Sequence, residues 1–150
     1  MGRIRTFLSL RPGDQFRILA AGGLLLFIWV GVVVLPFDQF RRFITWLANS
    51  CGKLVIGSPA PERIAHTVDV TDRNLPGERK CLVRSLSTEV LLRVYDCHFT
   101  HRIGVDRTAD GAVRAHSWIE HDGDVLIGQL DDLDAFEPLP PLENSTTIDW

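Results

Sequence analysis

The spacing of apolar positions changes character along the chain, and each change marks a new element. Ile18 to Leu35 (ILAAGGLLLFIWVGVVVL) is an unbroken apolar run of about 18 residues without a charge, closed by Pro36. Beyond it Phe40, Phe43, Ile44 and Leu47 recur at i, i+3, i+4 and i+7 behind Asp38, a candidate N-cap, while Arg41 and Arg42 share the other face. That spacing predicts a short amphipathic helix. Gly52, Gly57, Ser58 and Pro59 interrupt the pattern. A third helix is expected to start at Pro61, where a missing N–H costs nothing, and to run through Ile64 and Val68 toward Asn74 before Leu75-Pro76-Gly77 ends it. Over residues 81 to 95, Leu82, Leu86, Val90 and Val94 lie four apart, a helical stripe with Arg84, Thr88 and Glu89 largely off it.

From residue 98 the period drops to two. Phe99, Ile103 and Val105 predict one strand, Val113 to Glu120 a second and Val125 to Gly128 a third, with Asp122-Gly123 as a hairpin turn between the last two. Alternation in the second strand puts Arg114, His116, Trp118 and Glu120 on one face and Val113, Ala115, Ser117 and Ile119 on the other.

With 150 residues, 45% hydrophobic and 23% charged, the chain has room for one ordinary domain with a modest core. The net charge of -3 conceals a gradient. Residues 1–53 hold seven Lys/Arg against two Asp/Glu, and the last 22 residues hold six acids and no Lys or Arg. A basic start and an acidic end argue against a nucleic-acid surface spanning the domain. The odd number of cysteines, Cys51, Cys81 and Cys97, lacks the paired spacing of a disulfide scaffold and favours free thiols in a reducing compartment.

The apolar run is only just long enough to span a bilayer. Arg3, Arg5, Arg11 and Arg17 precede it and Arg41, Arg42 and Lys53 follow, so the charge bias is weak and slightly favours a cytoplasmic N-terminus. Leu35-Pro36-Phe37 offers no small-residue cleavage site, which argues against a signal peptide. A helix buried in a core, or lying against the membrane with Arg17 and Trp29 near the headgroups, is favoured over a span.

Two residues stand out chemically. Cys81 sits in the first turn of its helix, where unsatisfied N–H groups, Arg79 and Lys80 favour a thiolate. His116 shares a strand face with Trp118, an aromatic-walled setting in which an imidazole can be held and tuned. Cys97, His98 and His101 form a C-H-x-x-H cluster, but three ligands on a strand make an incomplete zinc site, and strand packing is favoured. His66 on a helix and His121 beside a turn read as solvated.

Cys81-Leu82-Val83-Arg84-Ser85-Leu86, then Ile103-Gly104-Val105, then Ala115-His116-Ser117-Trp118-Ile119-Glu120 and Gly123 resemble the transglutaminase-like cysteine peptidases of lasso peptide biosynthesis. These leader peptidases are related to the C-terminal domain of the microcin-processing B protein. The likeness covers residues 60–128, and the arginine-flanked helix with its Leu-Pro-Phe break also resembles the N-terminal half of this family. The resemblance implies an α+β fold, papain-like in layout, in which a cysteine-bearing helix packs on a small antiparallel sheet. It implies Cys81 as nucleophile and His116 as base in cleavage at a leader–core junction, with no cofactor and no metal.

In such relatives the third residue is typically an aspartate about twelve positions after the histidine; here that position is Gly128. If Asp122-Gly123 is a two-residue turn, Glu120 pairs with Val125 and His116 falls opposite Gln129, whose amide oxygen could orient the imidazole; a three-residue turn puts Leu130 there. Asp131 or Asp132 could reach back and would stabilise an imidazolium better, being charged. Gln129 and Asp131 rank equally, with Glu120 third.

The expected organisation is N-terminal helices over 1–57, a peptidase domain over 58–134 and a Pro-rich acidic tail over 135–150. No leader-recognition module is visible, so the resemblance implies a separate leader-recognition protein alongside the precursor leader, and a separate ATP-using lasso cyclase. No phosphate-binding glycine loop is present in this chain. The helix from Phe40 to Leu47 and the tail Phe136-Glu137-Pro138-Leu139-Pro140-Pro141-Leu142 are candidate docking surfaces. The alternatives are a non-catalytic membrane-associated scaffold that holds the precursor for the cyclase, and a transamidase of the same fold. The expected location is cytoplasmic, with association at the inner face of the cell membrane left open.

Overall fold

Pro12 opens the first described helix and Pro36 closes it, because proline is accepted in a first turn and disfavours helical backbone in the residue before it. The computed structural model describes residues 11–51, 57–77 and 79–140. Arg3, Arg5, the break at Gly52 and Lys53, and the tail from residue 141 lie outside the described residues. Helices α1 (Pro12–Val34), α2 (Phe37–Cys51), α3 (Pro61–Asn74) and α4 (Cys81–Val94) are followed by strands β1 (Thr100–Arg107), β2 (Val113–His121) and β3 (Asp124–Ile127), a 3-10 turn (Leu133–Ala135) and the two-residue strand β4 (Glu137–Pro138). The strands form one antiparallel sheet in the order β3-β2-β1-β4. The fold is α+β.

One core runs through all of it. Leu25 and Ile28 of α1, Phe40 and Ile44 of α2, Val68 of α3, Leu86 of α4, Ile119 of β2 and Ile127 of β3 belong to a single buried cluster. The N-terminal helices therefore share their interior with the cysteine helix and the sheet. Helix α1 is long and apolar enough to cross a membrane by length and composition. Its Ala21, Leu25 and Ile28 face is fully buried, whereas Phe16, Leu19, Val30, Val33 and Val34 form an exposed stripe. Gly31 lets α2 approach, since a Cβ there would overlap the Phe40 ring. Asp14 of α1 accepts from Arg63 of α3 at 2.8 Å.

Helix α4 departs from the amphipathic reading. Ser85, Ser87, Thr88 and Glu89, off the apolar stripe, are as buried as Leu86. The helix is enclosed by α1, α2, α3 and β2, so its polar residues must find partners inside the fold. The first part of the expected tail is docked as well: Phe136 is 6% exposed, and β4 pairs with Gly104 and Val105 of β1.

Candidate functional site

The β2–β3 hairpin sets the position of His116. Asp122 and Gly123 both take positive φ (50° and 92°), the type I′ geometry that suits a two-residue turn between twisted strands. His121 then pairs with Asp124 and Glu120 with Val125, as the two-residue turn requires. At the next step the register slips, and Ile119 pairs with Ile127. The extra residue is a β-bulge that bends β3, and the strand ends at Ile127. The chain then turns at Gly128, whose φ is +91°.

This bend brings the Gly128 carbonyl to 2.6 Å from Nε2 of His116. A carbonyl oxygen can only accept, so Nε2 carries the proton and Nδ1 keeps the lone pair. The Trp118 ring stacks beside the imidazole (centroids 6.1 Å apart, planes at 14°), and Phe136 stands 5.5 Å away on a tilt. Trp118 donates its indole N–H to Glu120 at 2.8 Å, and Arg102 holds the other oxygen of that carboxylate at 2.8 Å. Gly104 leaves room for this wall, because a Cβ there would lie 2.8 Å from the Trp118 ring.

The residues expected to orient His116 do not do so. Gln129 is exposed and donates its amide to Leu130 O at 3.3 Å. The bulge is the cause, since it removes the in-register position opposite His116 that Gln129 would have filled. Asp131 is exposed and makes no hydrogen bond or ion pair among the described residues. Asp132 binds Arg114 at 2.9 Å, and Glu120 is taken by Trp118 and Arg102. No side chain at position 128 could replace the carbonyl: an ideal Cβ would meet Ser117 O at 2.7 Å and Trp118 Cβ at 2.7 Å. A main-chain carbonyl takes the place expected of a carboxylate, and such a group carries no residue type that would mark it in the sequence.

Cys81 is the first residue of α4, half-buried, with no side-chain cap on the helix start. Val83 N–H of the first turn donates to Lys80 O at 3.0 Å, and no side chain caps the others. Lys80 is exposed, but Arg79 is committed elsewhere: its guanidinium pairs with the Asp72 carboxylate and donates to Asp72 O at 2.7 Å, tying the α3–α4 connection. The helix is keyed to β2 by Ser85, whose hydroxyl donates to Ser117 O at 2.9 Å. One turn further on, Glu89 meets His101, which sits opposite Ile119. Helix α4 thus follows β2 in the direction of rising number on the face that carries Ser117 and Ile119, whereas His116 stands with Trp118 on the other face of the strand. Among the described residues no hydrogen bond joins Cys81 to His116.

A buried polar network underlies the same seam. His101 is fully buried, with Nδ1 2.5 Å from Glu89 Oε2 and Nε2 2.8 Å from Ser117 Oγ. Arg93 at 3.0 Å and Arg41 at 3.4 Å hold the other Glu89 oxygen. Burial alone would raise the Glu89 carboxyl, but the His101 hydrogen bond and the charges of His101, Arg41 and Arg93 outweigh it and hold the group below its ordinary value. The C-H-x-x-H cluster is thereby separated. His101 points into this network, Cys97 contacts Tyr95 O at 3.7 Å, and His98 is exposed. Burial, with Asp96 and Glu62 adding negative charge, pushes the Cys97 thiol up.

A groove of about 400 Å³ runs between α3 and β3, lined by His66, Asp69, Arg84, Val125, Gly128 and Gln129 among others. It reaches the residue that holds His116, and its floor is neutralised where Arg73 and Arg84 both pair with Asp69.

A protein-family model described as the Transglutaminase-like superfamily matches residues 31–140. Comparisons with curated proteins and with solved structures return no match.

Proposed function

The chain belongs to the transglutaminase-like superfamily, and from that premise we propose that it is a cysteine peptidase removing the leader from a ribosomally made precursor in lasso peptide biosynthesis. The observation that carries the reading is the His116–Gly128 hydrogen bond, which leaves Nδ1 as the basic nitrogen of a fixed ring. His116 Nδ1 takes the proton of Cys81, and the thiolate attacks the carbonyl carbon of the scissile peptide bond. First-turn N–H groups of α4 stabilise the oxyanion. The imidazolium then protonates the leaving amine, the C–N bond breaks and a thioester remains. Water, deprotonated by the same nitrogen, adds to the thioester and releases the acid and the thiol.

The groove beside Gly128 suits an extended peptide segment on one side of that bond. The exposed stripe of α1, with Phe43 and Trp46 of α2, supports docking of the leader-recognition protein or of a membrane surface at the inner face, in a cytoplasmic setting. Ring closure falls to the separate cyclase. Incubation with a lasso precursor peptide and a leader-recognition protein, read by mass spectrometry, tests the proposal. The wild type should cut one bond and Cys81→Ala none. Cutting by Cys81→Ala at the wild-type rate would remove the nucleophile, and an amide product in the presence of added amine would mark a transamidase instead.

A further inference from the structure

Three side chains outside the Cys81–His116 region converge at the turn end of the sheet. His98 lies between α4 and β1, while His121 and Asp122 stand at the β2–β3 turn; one ligand atom from each lies within 4.8 Å of the other two. The His121 ring is already oriented. Its Nδ1 lies 2.7 Å from His98 O, which can only accept, so Nδ1 carries a proton and, in the neutral ring, Nε2 presents its lone pair. That lone pair faces Asp122 Oδ2 at 3.4 Å. In the neutral ring these are two acceptors face to face, a pair that a proton or a bound cation joins. The separation is longer than the roughly 2.7–2.9 Å of a charge-assisted N–H···O bond. It equals the spacing of about 3.4 Å between two ligand atoms on a tetrahedral ion bound at about 2.1 Å.

From this geometry we propose that His98, His121 and Asp122 form a site for a divalent transition metal of the zinc class, with water completing the coordination. Two imidazoles and a carboxylate suit such an ion better than magnesium or calcium, which prefer oxygen alone. The His121 N–H bonded to a main-chain carbonyl is the outer-shell arrangement that fixes metal-bound imidazoles. His98 is exposed and its ring supplies the third donor, within 4.8 Å of the other two. An ion there clamps the α4–β1 connection to the hairpin that carries His116 and Gly128, and so stabilises the folded chain by mass action. The site stands apart from the peptidase reading and does not depend on it.

The test is zinc titration by calorimetry on the full chain freed of metal, with thermal unfolding and cobalt absorption in parallel. One zinc per chain, a raised melting temperature and a loss of about tenfold or more in affinity in both His98→Asn and His121→Asn are expected. Bound cobalt should show visible d–d bands without a sulfur charge-transfer band. Absence of saturable binding, equal affinity in both variants and the wild type, or a sulfur band pointing to a cysteine ligand would each overturn the proposal. His98 and Asp122 are exposed and His121 lies at a turn, so the variants are expected to fold; Asp122→Asn gives a third reading of the same site.

Discussion

The Nε2 of His116 and the main-chain oxygen of Gly128 lie 2.6 Å apart, so the imidazole is oriented by a backbone carbonyl and not by a carboxylate. A carbonyl fixes the tautomer as well as an aspartate does, but it stabilises an imidazolium less because it carries no net charge. The ring's hold depends on the conformation of one glycine.

Replacing Gly128 should therefore harm both fold and site. A Cβ would sit 2.7 Å from Ser117 O, at a φ of +91° that other residues rarely adopt. Gly128→Ala is expected to cost about 1–3 kcal/mol in urea denaturation. Gly128→Asp, which restores the residue type of the transglutaminase-like relatives, should do no better. A Gly128→Asp protein of full stability with a faster Cys81 would show that a side chain can take over.

Gln129→Ala and Asp131→Ala should be nearly silent, within about 0.5 kcal/mol in stability, because both residues are exposed and neither touches His116. Thiol alkylation kinetics in the two variants check this. A tenfold slowing of Cys81 in either would restore that residue as the orienting group.

Glu89→Gln breaks a buried ion network and is expected to destabilise by about 3–5 kcal/mol near neutral pH. The sign of its pH dependence follows from the folded carboxyl titrating below its ordinary 4.5. Stability from a depressed carboxyl is fully present above the unfolded value and fades as pH falls through the folded one. The gap between wild type and Glu89→Gln in denaturant midpoint should thus narrow in acid; a gap that stays constant from neutral pH into strong acid would mean that Glu89 is not ionised in the fold.

Phe136→Ala should cost about 3 kcal/mol, since the ring is buried against His116 and beneath Arg114, whose guanidinium carbon lies 5.1 Å from its centroid. Denaturation together with Cys81 alkylation measures the stability loss and any loosening of His116. An unchanged midpoint would mean that this part of the tail is not docked in solution.

Much of this architecture was legible in local chemistry. Pro61 and Asn74 bound α3 where first-turn proline and the Leu75-Pro76-Gly77 break put them, and Cys81 opens α4. Asp122-Gly123 forms the two-residue turn that its positive-φ preference demands. What escaped depends on the tertiary environment. The bulge that carries Gln129 away from His116 has no residue signature of its own. Glu89 reads only as a position off the apolar stripe until α2 and β1 bring Arg41 and His101 onto it. The strand Glu137–Pro138 is two residues long, too short for a period and placed in a proline-rich segment that composition marks as irregular.

The central claim is that Cys81 and His116 act as a pair, and the alkylation rate of each cysteine against pH, in the wild type and in His116→Ala, tests it without any substrate. Cys97, its thiol pushed up by burial and Asp96, should react slowest at neutral pH. Cys81 is expected to react faster than Cys51 and Cys97 and to lose that advantage in His116→Ala. A Cys81 whose profile is the same with and without His116 would contradict the pairing and leave a transglutaminase-like fold that holds peptides without cutting them.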